Sequence, residues 1–552
     1  MSRDYPAGLP RCGLARAMVV VFVCVTAAVS LGWSHAKLMN QDEMYQFQTD
    51  SVGSLAELVH VQKTWPISLD PLLDHALSHG AMQVFGANAF ALRLPSLAGF
   101  LLMQVCLFFL VRNMAGDRAG AVAAAFPAVT ATLYYSAEGR PYGLLLGLYA
   151  LTVLSWQLAT RELSVVSSQL SGKARSRTWA LVGIAAGIAA TINAHYFGIL
   201  LLVPVCAAEG WRTLARRRMD WAVWGAIAVG MAGFLGTLPF MKAVGEFRIH
   251  YYNGGGVGLH DITRAYRTLF VDYTQMAMSA QHVWMAVLVL FALGLGWGCW
   301  RVGRESSIPP KRSLDGAPTE VDVVIFGAEW VMLLTLAALP FCGYLLARFV
   351  THSIEVRYVL GALVAISAMV GIAMAPWLKR DAVFDAALVV LGLGIVAGGA
   401  VRIRAEHWKT AERLASLVLP APAKAALLAS ARDGRLYVQD MGTFEEGRYY
   451  EPDPDVRARM TLVYSAEEEM RWNRHDTMAL TAMHLAQFTD LPVVAYERVK
   501  AEPGEHVFVL RHTGWDWTDQ AFAEDGAAVR ALGQAMDGDV AAVKFSPAGR
   551  AP

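Results

Sequence analysis

AMVVVFVCVTAAVSLGWSHAKLMNQDEMY, residues 17–45, turns from an unbroken apolar run at 17–33 into a polar island that opens with Asp42-Glu43. A run of that length is enough to cross a bilayer, which takes about 17–25 residues. Arg3, Arg11 and Arg16 stand before it, as in a secretory signal, but the run continues through Trp33 and is expected to be retained as a first membrane helix. The polar island covers 36–93 and closes at Phe90-Ala91-Leu92-Arg93-Leu94-Pro95, where the next apolar run begins.

The same alternation organises the rest of the chain. Of 552 residues, 55% are hydrophobic and only 17% charged, against about 25% charged in soluble domains. The apolar residues are gathered into blocks, so the chain reads as a polytopic membrane protein embedded in a lipid bilayer. A net charge of +1, with no basic tract or stacking motif, gives no reason to expect nucleic acid as a partner. Cys12, Cys24, Cys106, Cys206, Cys299 and Cys342 all lie in or beside apolar runs without metal-ligand spacing, so no disulfide or zinc framework is indicated.

Candidate spans fall at 14–33, 91–111, 119–135, 142–158, 179–192, 197–208, 221–240, 283–300, 323–347, 358–377 and 382–401, about eleven in all. With the N-terminus cytoplasmic, alternate loops carry Arg112 and Arg118, then Arg161 to Arg177, Arg212 to Arg218, Arg301 to Arg312, and Lys379-Arg380. All of these basic residues then lie on the cytoplasmic side, as the positive-inside rule asks. The first loop, 34–90, and everything after 401 are therefore expected outside, in a multi-pass protein of the cell (inner) membrane. Within that loop, 42–60 and 70–85 show helical spacing of apolar residues and read as helices lying at the interface. The stretch 402–552 has soluble composition. Strands are expected at 435–439, 492–496, 506–511 and 540–545, and helices at 476–488 and 520–536, which together make a small α/β domain. The fold class is thus mostly α, a transmembrane domain at 1–401 followed by an extracytoplasmic α/β domain at 402–552.

Polar chemistry collects at the outer ends of the spans. Asp42 and Glu43 project about 100° apart on a helix, so one can face a cavity while the other caps or pairs. The plainer alternative is that both merely complement a helix dipole. Arg140, beside Glu138, stands where a helix enters the bilayer; a guanidinium there suits a phosphate, or else forms a local ion pair or an interfacial anchor. Arg93 could snorkel outward. His195-Tyr196 occupies a tight turn where a histidine is more often structural than catalytic. Arg357-Tyr358 repeats the placement of Arg140 and Tyr142. Tyr251-Tyr252-Asn253 before three glycines suits either a closing loop or an ordinary connector.

These pieces, in this order, resemble the GT-C integral-membrane glycosyltransferases, in particular the protein mannosyltransferase and aminoarabinose transferase superfamily. The motifs that carry the resemblance are Asp42-Glu43, Phe85 to Ser96, Ala137-Glu138-Gly139-Arg140-Pro141-Tyr142, His195-Tyr196-Phe197-Gly198 and Glu355-Val356-Arg357-Tyr358. They cover roughly the first three-quarters of the chain. No proline follows Arg357-Tyr358, where the family often has one. The resemblance implies a transferase that takes sugar from a polyprenyl-phosphate-linked donor on the outer face. It implies Asp42 as catalytic base, with Glu43 in support and Glu138 helping to position substrate. It further implies Arg140 and Arg357, with Arg93, at the donor phosphate. Tyr142, His195, Tyr196, Tyr251 and Tyr358 are the candidate substrate contacts. The acceptor, whether lipid, glycan or protein, is left open. No cofactor is fixed; a divalent metal could stand in for an arginine, although no ligand set stands out. Direct displacement would invert the anomeric carbon. The rival reading is a transporter or lipid-linked sugar flippase, which would place ionisable residues near mid-membrane and show internal repeats. Neither feature is present in the sequence.

Overall fold

The computed structural model describes residues 11–161, 170–251, 257–271, 278–306, 327–351, 355–429, 434–511 and 516–545. It is mostly helical. Helix α1 (Arg11–Ala36) leads to three helices of the first loop, α2 (Gln41–Asp50), α3 (Leu55–Thr64) and α4 (Leu72–Phe85). Next come α5 (Ala89–Ala115), α6 (Asp117–Ala125), α7 (Tyr142–Arg161), α8 (Leu170–Ala194) and α9 (Leu202–Arg216). Then α10 (Trp221–Ala232), α11 (Leu238–Tyr251), α12 (His260–Phe270), α13 (Met278–Ser306) and α14 (Gly327–Ala337) follow. α15 (Leu339–Leu346), α16 (Ala362–Leu378) and α17 (Asp381–Leu417) complete the bundle.

Among the described residues six helices are long and apolar enough to cross a membrane, or eight if each of two bent pairs is one span. The bent pairs are α10 with α11 and α14 with α15, and α16 is a shorter apolar helix. The run at 119–135 is not one rod: α6 is followed by two 3-10 turns, Phe126–Val129 and Ala131–Ser136. α17 continues without a break past 401 to Leu417, so the compositional change at 402 falls inside a helix. The expected interfacial helix at 42–60 is two helices. Gly53 interrupts it, and the Ser54 side chain caps the second by accepting from the Glu57 N–H at 3.2 Å.

The bundle has two chemically distinct ends. At one, Arg16 and Arg112 pair with Asp117, Arg118 with Asp381, Arg161 with Glu329, and Arg177 and Arg212 with Asp220. At the other end lie the first-loop helices and the turns at 137–141, 195–201 and 355–359. A glycine seam draws α5 and α7 together there. A Cβ on Gly99 would run into the Leu144 backbone, and one on Gly147 into Gly99, so only hydrogen allows this approach.

The C-terminal domain comprises α18 (Ala421–Ala429), β1 (Leu436–Val438), α19 (Met441–Tyr450), α20 (Pro454–Arg459), β2 (Met460–Tyr464) and α21 (Ala466–Trp472). It continues with α22 (Thr477–Phe488), β3 (Val493–Ala495), α23 (Tyr496–Ala501), β4 (Glu505–Leu510), α24 (Thr518–Glu524), β5 (Ala528–Ala535) and β6 (Gly538–Lys544). The sheet order is β3-β2-β1-β4-β6-β5, with the first four strands parallel and the last two antiparallel. Alternate residues of β1 and β4 feed apolar cores on opposite faces, Leu436 and Val507 on one, Tyr437 and Phe508 on the other.

The helix expected at 520–536 is a correction. α24 ends at Glu524, Gly526 takes a left-handed φ of 60°, and 528–535 is strand β5, paired with β6 at the edge of the described sheet. Its alanine-rich sequence favours a helix locally. Met536 and Asp537, with φ of 56° and 57°, form the two-residue turn between the paired Ala535 and Gly538; the aspartate suits such a turn, the methionine does not. Strand β2 had no counterpart in the sequence reading.

The domain is seated on the first loop. Tyr45 and Ile67 lie in the same apolar core as Leu436, Met441 and Leu462. The Met39 N–H donates to Tyr450 Oη at 2.9 Å, and His484 Nδ1 lies 2.9 Å from the Pro66 carbonyl oxygen.

Candidate active site

Asn40 caps α2. Its side chain accepts from the Glu43 N–H at 2.9 Å, while Glu43 Oε2 accepts from the Asn40 N–H at 3.1 Å. This reciprocal box fixes the rotation of the first turn and sends Asp42 and Glu43 in different directions.

Glu43 turns into the protein and is fully buried. Arg93 Nε lies 2.7 Å from Glu43 Oε1 and Nη2 2.9 Å from Oε2; Lys37 Nζ is 3.2 Å from Oε2. The Gly139 N–H donates to Oε1 at 2.6 Å, from a position where a Cβ would collide with Leu92. Burial alone would raise the Glu43 pKa, but Arg93, Lys37 and these hydrogen bonds outweigh it and hold the carboxyl well below the usual range. The remaining Arg93 protons go to the Ser34, Lys37 and Leu38 carbonyls at 2.5, 3.1 and 3.1 Å. With every donor engaged and 2% exposure, Arg93 is a clasp joining α1, α2 and α5, with no donor left for a phosphate. Glu138 also faces this side. It accepts from Asn40 Nδ2 at 3.2 Å and Tyr134 Oη at 3.1 Å, and burial raises its pKa. Glu43, Arg93 and Glu138 are not among the residues lining the cavity described next.

Asp42 faces a cavity of about 300 Å³ lined also by Asp70, Arg140, Tyr142, His195, Arg357 and Tyr358. Asp42 Oδ2 is 2.9 Å from Arg357 Nη1. This pair is open: the side chains are 37% and 35% exposed. Arg357 also lies over the Tyr142 ring, 5.8 Å from its centroid. The second ion pair is closed. Arg140 Nη2 is 2.6 Å from Asp70 Oδ2, with side chains 10% and 8% exposed. Arg140 Nη1 also donates to Ser68 Oγ at 3.0 Å and to the Asp42 carbonyl at 3.3 Å, while its buried Nε has no partner. Burial pushes the Asp70 pKa up, but Arg140 and then His195 pull it below the usual value.

His195 stands at the break after α8. Its Nδ1 accepts from the Phe197 N–H at 3.2 Å, which leaves the proton on Nε2, 3.6 Å from Asp70 Oδ1. Burial lowers its pKa to about 4, Asp70 opposing and the two arginines reinforcing the shift. The ring is therefore a neutral support for Asp70, packed 5.2 Å from Tyr358. Tyr196 Oη lines the cavity, buried and without a hydrogen bond. Tyr251 closes α11, but its side chain, residues 252–256 and His352 lie outside the described residues.

The sequence reading missed two contributors. Asp70 entered that reading only as the first residue of the helix expected at 70–85. Thr477, Met478 and Thr481 of α22 form a wall of the cavity from the C-terminal domain. Met478 Sδ lies 3.6 Å from Tyr45 Oη, and Thr477 Oγ1 is buried without a partner. No local signal links them to residues more than 400 positions earlier. No group of three or more His, Cys, Asp or Glu arranged to hold a metal occurs among the described residues.

Residues 70–239 match the family described as Dolichyl-phosphate-mannose-protein mannosyltransferase, a stretch holding Asp70, Glu138, Arg140 and His195. Two crystal structures of ArnT from Cupriavidus metallidurans superpose with a TM-score of 0.59 at 14% identity. One is bound to undecaprenyl phosphate and one is in the apo state; 96% of this chain is covered, and 99% and 98% of those chains. The chain shares the fold of these two structures, the GT-C fold. The apo Archaeoglobus fulgidus oligosaccharyltransferase aligns at 12% identity and a TM-score of 0.44, over 81% of this chain and 64% of its own. No curated protein matches by sequence search.

Beside the cavity a buried polar cluster braces α2 against α4. His75 Nδ1 is 2.5 Å from Asp50 Oδ1, and Gln46 Nε2 donates to Asp74 Oδ2 at 2.6 Å. Burial lifts the Asp74 pKa from 3.8 to about 7. Between those values the folded state keeps a proton that the unfolded chain releases, so this contribution to stability falls as pH rises from about 4 to 7. Asp74→Asn is expected to remove that slope. Its melting temperature should gain on the parent between pH 5 and pH 8, as read by intrinsic tryptophan fluorescence on heating.

Proposed function

We propose that the protein transfers a sugar from a polyprenyl-phosphate-linked donor to a hydroxyl acceptor at the outer face of the cell membrane, with inversion and with Asp42 as general base. The single observation that carries this reading is the open Asp42–Arg357 pair beside the closed Asp70–Arg140 pair. A phosphate that engages Arg357 takes it from Asp42 and leaves that carboxylate free to accept a proton. Arg140, held still by Asp70 and Ser68, offers a second fixed cation. Fixed donors aimed at developing charge are the chief catalytic device available for a phosphate leaving group.

The step balances. The acceptor oxygen forms its bond to the anomeric carbon as the carbon–oxygen bond to phosphate breaks. The acceptor proton passes to Asp42, and the bonding pair leaves with the polyprenyl phosphate. The donor tail fits an apolar groove of about 480 Å³ lined by Phe270, Leu288, Phe291 and Leu334. That groove is flanked by α12, which packs against the 356–359 turn carrying Arg357. The loop basicity supports a cytoplasmic N-terminus, with the cavity and the C-terminal domain outside.

Lipids, glycans and glycoproteins compared by mass spectrometry in cells with and without the protein test the reading. A missing sugar supports it and names the product. An unchanged glycan profile with altered transport of lipid-linked sugars overturns it. For the purified chain, Arg357→Ala is expected to lower kcat/KM for the donor by about 10²–10³, while tryptophan fluorescence melting stays close to the parent.

A further inference from the structure

We propose that one anionic phospholipid is held in a groove between α1 and α5, at the end of the bundle away from the cavity. Arg16, at the mouth of this groove, and Lys37, in the clasp around Glu43, are separated along α1 by roughly 30 Å at about 1.5 Å per residue. The groove measures about 450 Å³ and is walled by Val20, Val23 and Cys24 of α1 and by Val105 and Phe109 of α5. Arg16 and Arg112 close one end of it.

Both arginines bind one carboxylate, and both do so through Nε: Arg16 at 2.8 Å from Asp117 Oδ2, Arg112 at 2.8 Å from Asp117 Oδ1. Their Nη groups have no hydrogen bond to a described residue. The side chains are 55% and 36% exposed. Two cations against one carboxylate leave a surplus of one positive charge, which a single phosphodiester neutralises. An acyl chain beneath that headgroup runs along the apolar walls. Basic pockets between membrane helices are suited to such headgroups. Simple snorkelling of two arginines would give a diffuse attraction to anionic headgroups, without a fixed stoichiometry or sensitivity to filling the groove. The lipid braces the same helix pair, α1 and α5, that Arg93 clasps at the other end beside Asp42.

The test uses the purified full chain, stripped of lipid and titrated with dioleoylphosphatidylglycerol or dioleoylphosphatidylcholine, with bound lipid counted by native mass spectrometry. The first phosphatidylglycerol is expected to bind about five-fold more tightly than phosphatidylcholine. The Arg16→Gln/Arg112→Gln double variant loses that one lipid. Cys24→Trp fills the groove without touching its charge and also loses it, which decides the matter if the double variant fails to fold. Equal affinity for the two lipids, or a first phosphatidylglycerol that survives the substitutions, overturns the proposal.

Discussion

Asp42→Asn is expected to abolish sugar transfer, by about 10²–10⁴ from loss of the general base, in a protein that still inserts and folds. The asparagine keeps the shape of the side chain and the hydrogen-bonding reach of one oxygen towards Arg357, but it cannot take a proton. Stability is expected to change little because Asp42 is 37% exposed and its side chain engages Arg357 in an open ion pair. Exposed pairs of that kind contribute about 0–1 kcal/mol. The measurement is turnover of a polyprenyl-phosphate sugar by the purified variant alongside its melting profile. Near-parental turnover removes Asp42 from the chemistry. Loss of activity together with a collapsed melting profile would make the residue structural instead.

Arg93→Ala is expected to produce the opposite pattern, a large loss of stability. The substitution leaves Glu43 buried with a charge that only Lys37 and two backbone N–H groups still face, and it leaves three carbonyls at the α1–α2 junction without their guanidinium donor. Breaking a buried ion pair from one side costs about 3–5 kcal/mol. Low yield and a sharply lowered melting temperature are the expected readouts. Arg93→Met combined with Glu43→Gln should recover part of the loss, since the buried charge is then gone on both sides. A stable Arg93→Ala protein with selectively weakened donor binding would return Arg93 to the phosphate role that the sequence suggested.

The contrast between these two variants marks what could be read from the sequence. Apolar runs and loop charge were legible because bilayer thickness and headgroup electrostatics act on any chain, whatever its partners. The 100° step between Asp42 and Glu43 was legible too, since it is a property of the helix alone. Which of the two acids would face the cavity was assigned by resemblance, and their surroundings differ for a reason no local pattern carries: Arg93 lies 50 residues on from Glu43 and Arg357 315 on from Asp42. Glu138 and Arg140 show the same limit. A local ion pair was one of the alternatives open for them, yet the short turn between the 3-10 segment and α7 sends them to different neighbours, Glu138 to Asn40 and Tyr134, Arg140 to Asp70. In the C-terminal domain, β5 reads as helix because alanine propensity is local, whereas its strand state comes from pairing with β6.

By itself the sequence determined a chain of membrane helices with a polar first loop, a soluble α/β tail and acids and arginines gathered at one set of helix ends. Periodicity, hydropathy and charge are sums over neighbouring residues, and these features need nothing more. Only the tertiary structure decided that Glu43 and Arg93 are a buried clasp, that Asp70 holds Arg140, and that α22 supplies a wall of the cavity. Those outcomes depend on which buried charges find partners at hydrogen-bonding distance, and packing across distant parts of the chain settles that.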